Sequence, residues 1–214
     1  MGGGARTAYQ AGALQALSTL LSNPQRFPFD ILVGTSAMVL TSNVNNEFKT
    51  FTDVVNAAKA KKNVSFGTIG NGSLGHLAMA LLGKNGNMEF NHIPYKGGSP
   101  GILATSTNEV QMFLISVSTA LPFIKSGKVR AIGNGGLKRS PLLPDVPAIA
   151  ESLPGFQSTN WLALFAPAAT PKPIIEKLNS SLQKAYANPM LIEQFKQQGM
   201  IVLGGPPSEL SNTI

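Results

Sequence analysis

The chain has 214 residues, with 17 Lys or Arg and 10 Asp or Glu, so its formal charge is +7. A chain of this length buries roughly 70% of its unfolded surface on folding, which excludes a peptide or an extended linker. Hydrophobic residues make up 43% and charged residues 13%, which argues against disorder, and the lack of cysteine excludes disulfide frameworks, thiolate metal sites and thiol nucleophiles.

The positive charge is spread along the chain. Two loose basic clusters, at residues 59–62 and 125–139, are not interleaved with aromatic residues, so we predict no nucleic-acid partner. The excess of positive charge fits a binder of small anions better, because it raises their local concentration. With His76 and His92 as the only histidines, neither a metal site nor a cofactor is predicted.

The first half of the chain alternates helical and strand patterns. In chain order, we predict a helix over 8–21, a short strand at 31–33 that continues or is followed by another at 38–40, a helix over 51–61 capped by Thr50 or Thr52, a strand over 64–69, and a helix that residues 70–73 open and that runs to about residue 82. This alternation is typical of a parallel α/β sheet.

The second half continues the alternation. We predict a strand over 90–95, a helix that starts at Ser99 and Pro100, a strand over 110–116, a short helix from 120 to 125, and a strand over 129–133. A Pro-rich crossover follows over 138–154, then a strand over 162–166 and helices over 171–187 and 189–198. The expected fold is therefore α/β, with a parallel sheet of about five strands between residues 39 and 133.

Residues that suit anion binding follow two of the predicted strands. Gly70, Asn71, Gly72 and Ser73 open a helix, so free N–H groups and the Ser73 hydroxyl form a cradle for an anion, or alternatively an ordinary turn with Ser73 as the N-cap. His76 lies on the same helix face, where it either donates to a carboxylate or makes a structural hydrogen bond. Tyr95, Lys96 and Gly97 end the next strand at the same edge of the sheet, either as ligand groups or as a surface loop.

From about residue 32 onward the chain resembles the Bug family, the substrate-binding proteins of tripartite tricarboxylate transporters. The stretches that carry the resemblance are Gly67-Thr68-Ile69-Gly70-Asn71-Gly72-Ser73 with His76, Ile93-Pro94-Tyr95-Lys96-Gly97, Val110-Gln111-Met112, Lys138-Arg139-Ser140-Pro141, Leu143-Pro144-Asp145-Val146-Pro147 and Leu164-Phe165-Ala166-Pro167-Ala168. The resemblance implies a type II periplasmic-binding fold that binds a small carboxylate without catalysis and works with membrane transporter subunits. It also implies that Gly70, Asn71, Gly72, Ser73, His76, Tyr95, Lys96 and Gly97 bind the ligand.

The first 37 residues resemble the start of patatin-like phospholipases. Gly2-Gly3-Gly4-Ala5-Arg6 is similar to that family's oxyanion loop, and Gly34-Thr35-Ser36-Ala37 is similar to its nucleophile motif. This resemblance implies an alternative function, a serine esterase or lipase in which Ser36 is the nucleophile and Gly3, Gly4 and Ala5 form the oxyanion hole. The family's catalytic Asp motif is replaced by Asn134-Gly135-Gly136, so the expected base is a histidine, His76 or His92, and His76 is the candidate catalytic residue.

Together the two resemblances predict a chimera joined within residues 32–36. Residues 1–37 form the patatin-like fragment, 38–135 a complete substrate-binding lobe, and 136–214 the crossover and C-terminal helices of a first lobe that is largely missing. We expect helices over 171–198 with uncovered apolar faces to drive self-association. The family implies a periplasmic location, whereas the sequence as written has no signal peptide and predicts a cytoplasmic one.

Overall fold

The computed structural model describes residues 30–167, 169–202 and 205. The predicted helix over 8–21 and the oxyanion residues Gly3, Gly4 and Ala5 lie outside the described residues. The chain divides into two compact units, one of residues Ser36–Asn160 and one that includes residues from Trp161 onward and those up to Thr35.

The Ser36–Asn160 unit alternates strands and helices, as the sequence predicts. Its elements are β1 (Asp30–Asn43, which begins before the unit), α1 (Phe51–Lys59), β2 (Ser65–Thr68), α2 (Leu74–Gly86), β3 (Asn91–Pro94), α3 (Gly98–Ser106), β4 (Met112–Ser116), α4 (Val117–Lys125) and β5 (Val129–Asn134). The crossover that follows contains a short 3₁₀ turn at Ile149–Glu151. The predicted α/β class is confirmed.

The sheet of this unit is mixed, so the prediction of an all-parallel sheet is wrong. The strand order is β3-β2-β4-β1-β5. β2 is parallel to β3 and β4, whereas β1 is antiparallel to both β4 and β5. A buried strand has the same apolar pattern whether it pairs parallel or antiparallel. The sequence pattern therefore did not reveal the antiparallel direction of β1.

Helices cover both faces of this sheet. Met112 and Leu114 of β4 pack in one core with Ala78, Met79 and Leu82 of α2, and that core also contains residues of α1. Phe113 and Ile115, the alternate residues of β4, pack in a second core with Ile102 of α3 and with Val117 and Ala120 of α4. The two-residue period of β4 thus places α1 and α2 on one face and α3 and α4 on the other.

Local capping fixes the start of α1. Thr50 is the N-cap, its side chain accepts from the Asp53 N–H at 3.3 Å, and Asp53 Oδ2 accepts from the Thr50 N–H at 2.8 Å. This reciprocal capping box confirms Thr50, the first of the two predicted caps.

The second unit contains helices at the two predicted places. Its described elements are β6 (Thr159–Phe165, which begins before the unit), α5 (Lys172–Tyr186), α6 (Pro189–Gln197) and β7 (Met200–Val202). Ile174 and Leu178 of α5 are each 50% exposed, whereas Ile175 is buried. Within the described ranges, every helix falls short of the length and hydrophobicity that a bilayer span requires.

Candidate anion-binding site

Three helices of the Ser36–Asn160 unit begin at the same edge of its sheet. Because β2, β3 and β4 are parallel, their carboxyl ends share this edge, and α2, α3 and α4 follow them directly. β2 and β4 are neighbours, but α2 packs on one face and α4 on the other. This reversal makes the ends of β2 and β4 the topological switch point, where α/β sheets have the crevice that binds their ligands.

The loop of residues 70–73, which we call the cradle loop, joins β2 to α2. Gly70 and Gly72 have φ values of 136° and 72°, a region that favours glycine. Ser73 is the N-cap of α2, and its Oγ accepts from the His76 N–H at 3.3 Å. The predicted strand–loop–helix geometry is therefore present, with the positive end of the α2 dipole at the crevice.

Two histidines support the cradle loop. The Gly72 N–H donates to His76 Nδ1 at 3.0 Å, and Thr68 Oγ1 lies 2.6 Å from His92 Nε2. Thr68 Oγ1 also donates to the Gly70 carbonyl at 3.1 Å, so both imidazoles connect to the loop. His76 therefore makes the structural hydrogen bond that the sequence left as one of two alternatives.

The two imidazoles stack on each other. The ring centroids of His76 and His92 are 4.0 Å apart with an interplanar angle of 9°, and His92 also stacks on Phe66 at 4.9 Å. Burial, and secondarily the charge on His76, lowers the pKa of His92 to about 4. His92 is therefore neutral at pH 7. Sequence reasoning did not place His92 at this site, because β3 lies far from the cradle loop in sequence.

Tyr95 lies on the other face of the sheet. Its ring packs edge-on against Phe113 with centroids 6.0 Å apart, and its hydroxyl is buried without a hydrogen-bond partner among the described residues. Burial, and secondarily the charge of Glu109, raises the pKa of Tyr95. The Tyr95 hydroxyl thus packs inside the unit, where the ring lies over Gly67 of β2, and the Tyr95 N–H donates to the Thr68 carbonyl at 2.8 Å.

The second wall of the crevice contains hydroxyls that the sequence analysis missed. Ser116 Oγ, at the end of β4, lies 2.9 Å from Thr119 Oγ1 and 3.2 Å from Ser118 Oγ. Gly98 begins α3 against this group, since a Cβ there would lie 3.3 Å from Thr119 Cγ2. The signal was a polar run directly after a buried strand, the same signal that identified the cradle loop.

The charge of this edge suits an anion. None of residues 67–76, 95–101, 115–119 and 133–139 is Asp or Glu, and Lys96, which follows β3, is exposed. Gly97, the N-cap of α3, has a φ of 133° and caps with backbone alone. No three His, Asp or Glu side chains come together as a metal site in the part of the chain that the structure describes.

A surface cleft elsewhere is less suited to anions. A cleft of about 670 Å³ lies at the carboxyl ends of α1 and α2, where Lys59, Lys61, Lys84 and Glu89 line it. Helix carboxyl ends carry partial negative charge, and lysines there neutralise the helices' own carbonyl groups. The sheet edge, where helix amino ends meet, is therefore the better candidate.

Ser36 lies inside a strand. The backbone runs as β1 from Asp30 to Asn43, without the sharp strand-to-helix turn that exposes the nucleophile in G-x-S-x-G enzymes. The sheet pairing that begins at Met38 explains this, because it extends the backbone where an elbow would bend it.

This fold and this crevice define a lobe of the periplasmic-binding-protein class. The structure is similar to that of the periplasmic binding protein BugD, with 31% identity and a TM-score of 0.77 over 87% of this chain and 64% of that one. It is also similar to that of MatC from Rhodopseudomonas palustris with bound malate, with 25% identity and a TM-score of 0.78 over 89% of this chain and 67% of that one.

The sequence comparisons give the family. The profile described as "Tripartite tricarboxylate transporter family receptor" matches residues 9–211. The UPF0065 protein in the tcbD-tcbE intergenic region of Pseudomonas sp. strain P51 is 38% identical over 185 residues, which is 85% of this chain and 55% of that protein. The chain belongs to the tripartite tricarboxylate transporter receptor family.

The extent of the match corrects one expectation. The family profile begins at residue 9, and not at about residue 32, so it includes most of the segment that we predicted as a patatin-like fragment. A short glycine-rich start and a Gly-Thr-Ser stretch were the basis of that prediction, and such short motifs arise easily by chance. The chain spans about half the length of the Pseudomonas relative.

Proposed function

We propose that this chain binds a small carboxylate, and a dicarboxylate in particular, in the crevice between the carboxyl ends of β2 and β4. The observation that carries the proposal is the meeting of three helix amino ends at an edge without acidic residues. MatC, whose structure holds malate, supports a C4 dicarboxylate as the first ligand to test. We propose further that the protein works outside the cytoplasmic membrane and delivers its ligand to transporter subunits.

The proposed binding mode needs no catalytic group. One carboxylate accepts hydrogen bonds from N–H groups of the cradle loop and from the Ser73 hydroxyl, with the α2 dipole behind it. The hydroxyls of Ser116, Ser118 and Thr119 and the charge of Lys96 lie at the ends of the neighbouring strands, where they suit the rest of the ligand. Hydrogen bonds of this kind hold an anion and release it unchanged.

The test is calorimetric titration with L-malate. We expect saturable binding at roughly millimolar concentration, near −4 kcal/mol. Ser73→Ala should weaken binding by about 1 kcal/mol, or roughly fivefold, because a hydroxyl that contacts the anion is lost.

The matched control is Thr50→Ala. Thr50 caps α1 as Ser73 caps α2, so each variant should lose about 1 kcal/mol of stability from a lost cap. Only Ser73→Ala should also lose affinity. Equal affinities of the two variants would place the carboxylate away from the cradle loop, and no heat with malate or with longer dicarboxylates would contradict the proposal as a whole.

The esterase alternative has no observation in its favour among the described residues. Ser36 lies in a continuous strand, and His76 Nδ1 is occupied by the Gly72 N–H. We therefore do not propose it as a second function.

A further inference from the structure

The cradle loop is closed by a hydrogen bond that depends on one proton. The Gly72 N–H donates to His76 Nδ1 at 3.0 Å, which requires Nδ1 to be unprotonated. The neutral ring therefore carries its proton on Nε2. In this state the Gly72 N–H is used inside the protein and is not available to a ligand.

Protonation of His76 changes this arrangement. Nδ1 then carries a hydrogen, so two donors, the Gly72 N–H and the Nδ1–H, face each other across 3.0 Å. An anion that accepts from both donors relieves the conflict and also meets a new positive charge. The protonated loop is thus a stronger anion site than the neutral one.

The surroundings of His76 allow only one of the two stacked imidazoles to be positively charged. His92 stacks on it at 4.0 Å, and a second charge at that distance is strongly opposed. Of the strands packed against α2, β2 and β4 carry no titratable side chain, β3 carries only His92, and β1 carries Asp30 at its first position, eight residues before Met38, which packs near α2. α1, which shares the core with α2, carries Asp53 and Lys59, and Asp53 is engaged by Thr50; α2 itself carries Lys84 in its last turn.

The cradle-loop contacts identify which ring takes the proton. His92 Nε2 is held by Thr68 Oγ1, and its ring lies between Phe66 and His76. Burial lowers the pKa of His92 to about 4, so it stays neutral in the range in which histidines ordinarily titrate. A neutral ring beneath His76 is also a favourable partner for an imidazolium.

We propose that His76 is a proton-linked positioning residue: carboxylate binding at the cradle loop is coupled to uptake of one proton from solvent by His76, which releases the Gly72 N–H to the ligand. The inference rests on the proposed carboxylate function and adds its regulation. Its consequence is that, while the ligand stays ionised, affinity rises as the pH falls.

The first experiment needs neither ligand nor variant. In an NMR titration of the wild-type protein, the Gly72 amide signal and the His76 ring signals should change with the same midpoint, because one protonation breaks their hydrogen bond. A Gly72 amide signal that stays constant while His76 titrates would overturn the proposal, whatever the outcome with malate.

The second experiment measures proton uptake on binding. Calorimetry with L-malate, in buffers of different ionisation enthalpy, should give net proton uptake in the wild type, and affinity should be higher at pH 6 than at pH 8. His76→Asn keeps an amide oxygen near the position of Nδ1 without a titrating ring. It should bind with no proton uptake and no pH dependence.

His92→Phe is the matched control. It keeps a ring in the stack and removes the other imidazole. Because His92 also supports the cradle loop through Thr68, the readout is proton uptake and not affinity, and uptake should persist. Uptake that persists in His76→Asn, or that disappears in His92→Phe, would contradict the assignment to His76. Absence of malate binding at every pH would contradict the proposed function instead, while the NMR titration would still decide the coupling of His76 to Gly72.

Discussion

His92 shows how the cost of burying a charge shapes this site. Burial is the larger cause of its lowered pKa, and the neighbouring charge of His76 is the smaller one. In the unfolded chain the same imidazole titrates near 6.5. The unfolded state therefore binds more protons than the folded state between about pH 6.5 and pH 4.

This difference predicts a loss of stability in acid. The contribution of neutral His92 to the free energy of unfolding is fully present above about pH 6.5. It is lost as the pH falls toward 4, because the unfolded chain binds more protons in this range. The urea midpoint of unfolding should therefore fall from pH 7 to pH 4.5. The fall should be smaller in His92→Phe, which keeps the ring stack while Thr68 keeps its bond to the Gly70 carbonyl. Equal falls in both proteins would mean that His92 is not the group responsible.

Side chains alternate between the two faces of the sheet along each strand, and this alternation decides which predicted site residues lie at the crevice. His92 and Phe66 lie on one face of the sheet and stack, whereas Tyr95, three residues after His92, contacts Phe113 on the other. The sequence predicted the cap at Ser73 correctly because capping is local. It did not predict the orientation of Tyr95 or the role of His92, because both depend on which strands are neighbours.

At the scale of elements, local signals were sufficient for most helices. The sequence predicted α1 with a cap at Thr50 or Thr52 and a helix that starts at Pro189, and the structure has α1 capped by Thr50 and α6 beginning at Pro189. β1 was predicted as one or two short strands because Gly34 and Thr35 interrupt the apolar pattern, yet pairing with neighbouring strands keeps its backbone extended. β7 has three residues, Met200–Val202, too few for a recognisable period.

The crossover after β5 has little regular structure, and an ion pair joins its two ends. Arg139 Nε and Nη2 each donate to a carboxylate oxygen of Glu151 at 2.9 Å, and Glu151 Oε1 also accepts from the Ala148 N–H at 2.9 Å. These bonds lower the pKa of Glu151 to about 2, with the Arg139 hydrogen bond as the largest cause. They clamp the two ends of an irregular segment together.

Glu151→Gln should therefore loosen the crossover. The amide oxygen of the variant still accepts from the Ala148 N–H. The variant lacks the carboxylate whose two oxygens accept from the Arg139 guanidinium. Limited trypsin digestion should cut faster after Lys138 and Arg139 in this variant than in the wild type. Glu89→Gln, at an exposed acid outside the crossover, is the control and should not change the rate. Unchanged cleavage in Glu151→Gln would show that packing, not the ion pair, holds the segment.

At the scale of the whole molecule, the sequence predicted the class of protein through ordered motifs spread along the chain. The boundary with a second family rested on the first 37 residues alone, where the motifs were short. The family profile, which uses every position from 9 to 211, places most of that segment in the receptor family. A match over many positions along the whole chain is thus better evidence of family membership than two short matching motifs.

The second unit exposes apolar side chains on α5 and α6 that should drive self-association. Ile174 and Leu178, one turn apart on α5, are each 50% exposed, and Met190 of α6 is 72% exposed. Apolar side chains at this spacing form a stripe, and a stripe of this kind is stabilised when a partner removes it from water. We expect a dimer or larger species by light scattering at tens of micromolar, which Ile174→Glu together with Leu178→Lys should convert to monomer. The control is Ser181→Ala on the same helix, which should leave the mass unchanged. A wild-type protein that is monomeric at this concentration would show that the stripe is too small to drive association.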